Sequence, residues 1–184
     1  MLRKIIKESM AAEIMSVTGG AFAGLGLAKM IGILETVPSI LVMVPGMLAL
    51  RGDIAGALSS RLGTGLHAGL ITPTIKLDKI LAKNIFVSLS LSVFESLLVG
   101  VIAYYVCLYL NIRPVNLFSL ALLGVIAGGT ASLVQTPLTV FMAIVVFQKG
   151  IDPDSVMGPV VTTIGDVICV ICLYGTAKLI FGVG

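Results

Sequence analysis

Long apolar segments follow one another along the whole chain, at about 11–34, 37–71, 85–110, 117–147 and 155–181. Each is near or above the roughly 20 residues that an α-helix needs to cross the hydrocarbon core of a bilayer. In lipid every backbone N–H and C=O must find its partner within the protein, which leaves only helices and closed barrels as spanning structures. The segments lack the strict alternation of barrel strands, so an all-α membrane protein with five transmembrane helices is expected. Only 11% of the residues are charged and 58% are hydrophobic, whereas a soluble domain carries roughly 25% charged residues. We therefore expect a single integral membrane domain over 1–184, with no soluble regulatory domain.

The apolar run over 10–34 exceeds the about 7–15 residues of a signal-peptide core, so Arg3, Lys4 and Lys7 precede a first membrane helix. Lys and Arg in short loops set orientation. With the amino terminus cytoplasmic, Arg3, Lys4, Lys7, Lys76, Lys79, Lys83 and Lys149 fall inside, leaving chiefly Arg113 and Lys178 outside. Five crossings then put the carboxyl terminus outside, as a multi-pass protein of the cell membrane. Lys29, near one end of the first span, snorkels to the headgroups. The net charge of +3 arises beside membrane spans, so it points to the lipid bilayer and to no nucleic acid.

The second segment, about 35 residues long, is too long for one straight crossing and contains Pro45-Gly46 and Arg51-Gly52-Asp53. It reads as a broken second helix, two half-helices joined at a glycine-containing break. Such breaks survive at membrane depth only where they are buried in protein or line a water-filled cavity, which makes this one a pathway candidate. The fourth segment carries a similar interruption at Gln135-Thr136-Pro137, and Gly19, Gly20, Gly24 and Gly26 give the first span a surface for close packing. Cys107, Cys169 and Cys172 all lie within spans. Cys169 and Cys172 form a C-x-x-C without a second pair or a nearby His, so they read as packing residues, with neither a zinc site nor a disulfide.

Intramembrane acids are the chemical signal. A carboxylate at mid-helix costs about 2.5–3.5 kcal/mol to insert, yet Asp166 lies in an otherwise apolar stretch, with the hydroxyls of Thr162 and Thr163 one turn before it. That is an oxygen-rich site for a hard cation such as Mg2+, which gives up its water reluctantly and is gripped through carboxylates and carbonyls. The competing reading pairs Asp166 with Arg51 or a lysine. Asp53 is a second candidate ligand, against an internal salt bridge to Arg51 or Arg61. Glu95, deep in the third span, is a third, against helix–helix hydrogen bonding. Arg51 and Arg61 fit stabilisation of the break or contact with lipid phosphate. His67 fits an interfacial or packing role, and Pro45 and Pro137 set helix geometry. No spacing singles out Gln135 or Thr136. A homodimer is the simplest way for such a unit to enclose a central path, and two facing Asp166 carboxylates would repel unless a divalent cation lay between them.

The stretch Gly158-Pro159-Val160-Val161-Thr162-Thr163-Ile164-Gly165-Asp166 resembles the last transmembrane helix of the MgtE magnesium channels, whose pattern is close to G-P-x-x-T-T-x-x-D. Upstream, Pro45 to Asp53, followed by Ala57-Leu58-Ser59-Ser60-Arg61-Leu62-Gly63-Thr64, is similar to the second helix of that superfamily, above all in its animal solute-carrier branch. The resemblance implies an MgtE-type homodimer whose second and fifth helices line a cation pore, with Asp166 at the magnesium-binding aspartate. Much of the family has asparagine where this chain has Asp53, which adds a negative charge to each subunit. Bacterial relatives carry cytoplasmic sensor domains that this sequence does not display, so their gating does not transfer.

The resulting expectation is a magnesium or divalent-cation channel or transporter, not an enzyme, with no cofactor and Mg2+ as cargo. Two other classes compete: a membrane assembly subunit without transport activity, and an intramembrane aspartyl protease using Asp53 and Asp166. The protease pattern of a G-x-G-D loop with a tyrosine-aspartate pair is not matched, since position 163 is threonine.

Overall fold

In the computed structural model residues 2–74 and 78–182 are described, apart from the side chains of 2–9, 11–12, 154 and 155. Lys76 and the side chains of Arg3, Lys4 and Lys7, used above for orientation, lie outside this description. The described chain is helical: α1 Leu2–Lys29, α2 Ile31–Thr36, α3 Pro38–His67, α4 Lys79–Tyr109, α5 Leu117–Gln148 and α6 Pro153–Phe181. Among the described residues four helices are long and apolar enough to cross a membrane, namely α3, α4, α5 and the Val156–Phe181 part of α6.

The helix ends follow from local chemistry. Val37 is pushed out of the α region by the proline after it, and Pro38, which needs no N–H partner, opens α3. Three helices close alike. Gly69, Asn111 and Gly150 take φ of 68°, 56° and 71° after α3, α4 and α5, and the amide one residue further on returns to the helix, as in Leu70 N–H to Gly65 O at 2.9 Å. The α5–α6 and α3–α4 loops share one end of the bundle, where Gln148 Nε2 donates to Pro73 O at 2.6 Å and His67 stacks edge-on against Phe147, 3.5 Å from Asp152. Lys79, Lys83 and Lys149 therefore gather at that end.

Three sequence expectations need correction. The second helix is not broken: α3 is one helix of 30 residues, about 45 Å long against a hydrocarbon core of about 30 Å. Pro45 removes a single N–H. The packed face built by Met43, Met47, Arg51, Ile54, Leu58 and Leu62, at intervals of three and four residues, holds the helix through Gly52 and Asp53. By the same logic α5 runs through Gln135-Thr136-Pro137 without interruption. The first expected span, in contrast, is divided, because a tight turn with Met30 N–H bonded to Leu27 O at 2.9 Å separates α1 from α2 and drives Met30 fully into the core.

Helices α3 to α6 pack together, and α1 lies against α6. The α4–α5 contact is made backbone to backbone. Ser88, Ser92, Ser96 and Gly100 recur every fourth residue along α4 and are all buried. A Cβ on Gly100 would lie 2.7 Å from Leu120 O, one on Gly124 would strike Ser96 O, and one on Gly128 would strike Ser96 Oγ. Small residues at this spacing let membrane helices approach closely, where packing rather than the hydrophobic effect drives association. The apolar core is divided in two. One cluster joins Met43, Met47, Leu123 and Leu173, and the other joins Leu58, Leu62, Ile144 and Met157.

Gly124→Ala is expected to lower the thermal unfolding midpoint of the detergent-solubilised protein, with an overpacking cost of roughly 1–3 kcal/mol. Gly129→Ala on the same helix, whose Cβ would meet Val93 only at 3.8 Å, is expected to leave the midpoint unchanged or raise it.

Candidate functional site

Between the two apolar clusters lies a polar layer. It is built from Arg51 on α3, Ser92 and Ser96 on α4, Gly128, Ser132 and Gln135 on α5, and Asp166 on α6, all close to the middle of their helices. A polar layer at mid-depth is expensive in lipid unless its members satisfy one another or meet water.

Arg51 is the largest fully buried side chain, 1% exposed. Its Nη1 donates to Gly128 O at 3.0 Å, and its Nη2 to Ser92 Oγ at 2.7 Å and Ser96 Oγ at 3.2 Å. Ser92 Oγ also donates to Gly128 O at 3.2 Å. The absence of a side chain at Gly128 admits this group, since a Cβ there would lie 3.5 Å from Nη2 as well as on Ser96. Glu95 is half-buried on α4. Arg51 is thus held by neutral oxygens of α4 and α5, and Asp166 is not among its hydrogen-bond partners.

Asp166 is half-buried, and its Oδ1 is shielded from solvent with no hydrogen-bond partner among the described residues. One turn earlier, Thr162 and Thr163 spend their hydroxyl protons on the carbonyls of Gly158 and Pro159, both at 2.8 Å. Their oxygens keep lone pairs and have no proton left to offer, so they can accept from a hydrated ion or ligate it. The two threonines point to different neighbours. A Cβ on Gly52 would lie 3.0 Å from Thr162 Cγ2, and one on Gly19 would strike Thr163 Cγ2. Glycines of α3 and α1 therefore bring both helices against α6 just below the acid.

Asp53 sits on the exposed side of α3, one residue beyond Gly52. It continues an exposed stripe of Leu41, Pro45, Ala49, Asp53 and Ala57 at every fourth position. Arg61, further along α3, bonds Ala57 O at 3.1 Å and Ser88 Oγ at 3.3 Å, so it turns back onto the protein. Asp166, Asp53 and Glu95 do not converge in one chain: among the described residues no three His, Cys, Asp or Glu side chains form a metal-binding group. A cavity of about 640 Å³ between α1 and α6 is lined mainly by apolar side chains such as Phe22, Leu25 and Val170, with Lys29 at its edge. It contains no carboxylate. The cysteines are free, and Cys169 Sγ lies 3.8 Å from Met47 O.

The MgtE family model, described as a divalent cation transporter, matches residues 44–176. The chain belongs to the MgtE family. Its relatives include solute carrier family 41 member 2 of Gallus gallus, 26% identical over 174 residues that cover 91% of this chain and 29% of the relative. Solute carrier family 41 member 2 of Mus musculus is 28% identical over 142 residues, 74% of this chain and 24% of the relative. Member 3 of Mus musculus is 27% identical over 142 residues, 74% of this chain and 28% of the relative. The chain thus spans less than a third of the length of these curated relatives. Within this MgtE-family chain, the matched region contains Arg51, Asp53, Glu95, Gln135 and Asp166 and begins after α1 and α2.

The sequence names Gln135 without assigning it a role and does not single out Ser92, Ser96 or Gly128, and the break that Arg51 was expected to stabilise, as an alternative to contact with lipid phosphate, does not exist. The four-residue recurrence of Ser88, Ser92, Ser96 and Gly100 was the available signal, since it marks one helix face small enough to admit a neighbour.

Arg51→Ala is expected to destabilise the bundle by roughly 2–5 kcal/mol, the scale of a large buried side chain removed to leave a cavity. Arg51→Met, which refills most of the volume and strands no charge, is expected to cost less. Thermal unfolding of the two variants side by side measures the difference.

Proposed function

We propose that this chain forms the cation-conducting membrane unit of a magnesium transporter, with Asp166 as the ion-binding carboxylate and Thr162, Thr163 and Asp53 contributing to the path. The observation that carries the reading is the shielded Oδ1 of Asp166, at the middle of its helix and without a hydrogen-bond partner among the described residues. Arg51, the cation best placed in the sequence to neutralise it, is engaged by Ser92, Ser96 and Gly128. Leaving a buried carboxylate uncompensated is strongly unfavourable, and a hydrated divalent cation supplies both the charge and the donors. Membership of a family of transporters favours this reading over an assembly subunit or a protease.

The unit works as a homodimer. Among the described residues of one chain no three His, Cys, Asp or Glu side chains come together, and the exposed stripe on α3 carries Ala49 and Ala57 on either side of Asp53, small residues that let a second helix approach the acid. A two-fold axis beside this face brings two copies of α3 and α6 around one path and duplicates each acid. Glu95, half-buried at the middle of α4, is a further candidate for the path. The fifth crossing on this reading is α1, about 42 Å long, whose Ile14 and Val17 are each more than 60% exposed and would meet lipid. The lysines gathered at the α3–α4 and α5–α6 loops favour an orientation with that end and the amino terminus on the cytoplasmic side of the cell membrane and the carboxyl terminus outside.

Purified protein in liposomes loaded with a fluorescent magnesium indicator tests this. Wild type is expected to admit Mg2+ and Asp166→Ala to lose the flux while retaining its elution volume in size-exclusion chromatography. Flux that persists in Asp166→Ala removes that residue from the path, and no wild-type flux under any sodium or proton gradient refutes transport.

A further inference from the structure

We propose that Gln135 is a positioning residue for the cation path, setting the register of α6 against α3 and hence the height of Asp166 relative to Asp53; the inference rests on the transport reading above. Gln135 is 4% exposed and stands where α3, α5 and α6 meet. Its side-chain amide has two protons, and both are used between helices: Nε2 donates to Arg51 O on α3 at 3.4 Å and to Val161 O on α6 at 3.3 Å. One α5 side chain thus ties together the two helices that carry Asp53 and Asp166, through carbonyls two and five residues from those acids.

Steric fit sharpens the tie. A Cβ on Gly165, next to Asp166, would fall on Gln135 Nε2 and lie 2.8 Å from Cδ and 3.0 Å from Oε1. The amide therefore fills the space that a side chain at 165 would take. On the other side of the junction Gly52 rests on Thr162, with a Cβ there 3.0 Å from Cγ2. A one-residue change of register moves α6 about 1.5 Å along its axis and turns it by about 100°, which replaces Gly165 at the amide by Ile164 or by Asp166 itself. Only one register satisfies Gln135, Gly165 and Gly52 together. A glutamine suits this position because a carboxylate would oppose the two carbonyls and a leucine would make neither bond.

The test separates register from transport. A Cβ at position 52 would lie 3.8 Å from Thr162 Cβ, within the about 3.5–4.5 Å spacing that a disulfide requires. Gly52→Cys with Thr162→Cys, in a chain whose Cys107, Cys169 and Cys172 are replaced by alanine, therefore reports the α3–α6 register by its rate of oxidative cross-linking. Adding Gln135→Leu is expected to slow cross-linking severalfold. Gly165→Ala, which displaces the amide without changing its chemistry, is expected to do the same and serves if the leucine variant does not fold. In the native-cysteine protein, both substitutions are expected to raise the half-saturating Mg2+ concentration about three- to tenfold, the scale of one or two lost hydrogen bonds. Maximal flux per folded protein should change less.

Unchanged cross-linking in both variants overturns the proposal, and so does slowed cross-linking with unchanged half-saturation. If wild type carries no Mg2+, the transport reading has failed and Gln135 positions no cation path; the cross-linking rate then reports only on the helix register.

Discussion

A guanidinium buried at the middle of a membrane bundle fixes much of this structure. Arg51 can remain there only because α4 and α5 supply oxygens at the right height, and they can do so only because serine and glycine on those helices let the backbones approach. The same requirement explains why α3 stays helical through Pro45, Gly46 and Gly52: a break near Arg51 would pull the guanidinium away from Ser92, Ser96 and Gly128. Hydrogen bonds to charged groups are worth about 1.5–3 kcal/mol each, so the three that Arg51 donates are comparable with the cost of about 3 kcal/mol for an interior proline and about 1 kcal/mol for each glycine. The packed apolar faces on either side of the layer add to that balance.

With Arg51 committed to α4 and α5, the acids of α3 and α6 have no ion pair among the described residues. Asp53 sits on the exposed side of α3, and Asp166 is half-buried, with one oxygen shielded and without a hydrogen-bond partner among the described residues. Stability and function separate here. The guanidinium inside the bundle belongs to the scaffold, while on the proposed reading the carboxylates on α3 and α6 serve an exchangeable ion. Thr162 and Thr163 fit this division, because each satisfies its own helix and still presents oxygen.

How much of this was legible in the sequence depends on the length scale of the signal. The all-helical membrane class and the approximate spans follow from runs of apolar residues and agree with α3, α4, α5 and α6 within a few residues, except that α4 begins at Lys79, ahead of the apolar run from 85. Family membership followed from two motifs around Arg51-Gly52-Asp53 and Thr162-Thr163-Asp166. The integrity of α3 was not legible, because proline and glycine speak for a local break while the burial that opposes it is set by contacts with α4, α5 and α6. Gln135 escaped for the same reason: its partners are backbone carbonyls at 51 and 161, and a carbonyl leaves no trace in a sequence. The turn at Met30 has an equally tertiary origin, since what it gains is the burial of that side chain.

Whether a divalent cation is the missing partner of Asp166 is decided by thermal unfolding of wild type and Asp166→Asn across a Mg2+ titration from chelator upward. A ligand that binds only the folded state stabilises it by about 2.7 kcal/mol at one hundred times its dissociation constant. The midpoint is expected to rise with Mg2+ in wild type, and Asp166→Asn is expected to be at least as stable as wild type in chelator but insensitive to Mg2+. Equal Mg2+ responses in both proteins, or an Asp166→Asn variant that is markedly less stable in chelator, would contradict ion binding at Asp166, because the carboxylate would then be serving the fold and not an ion.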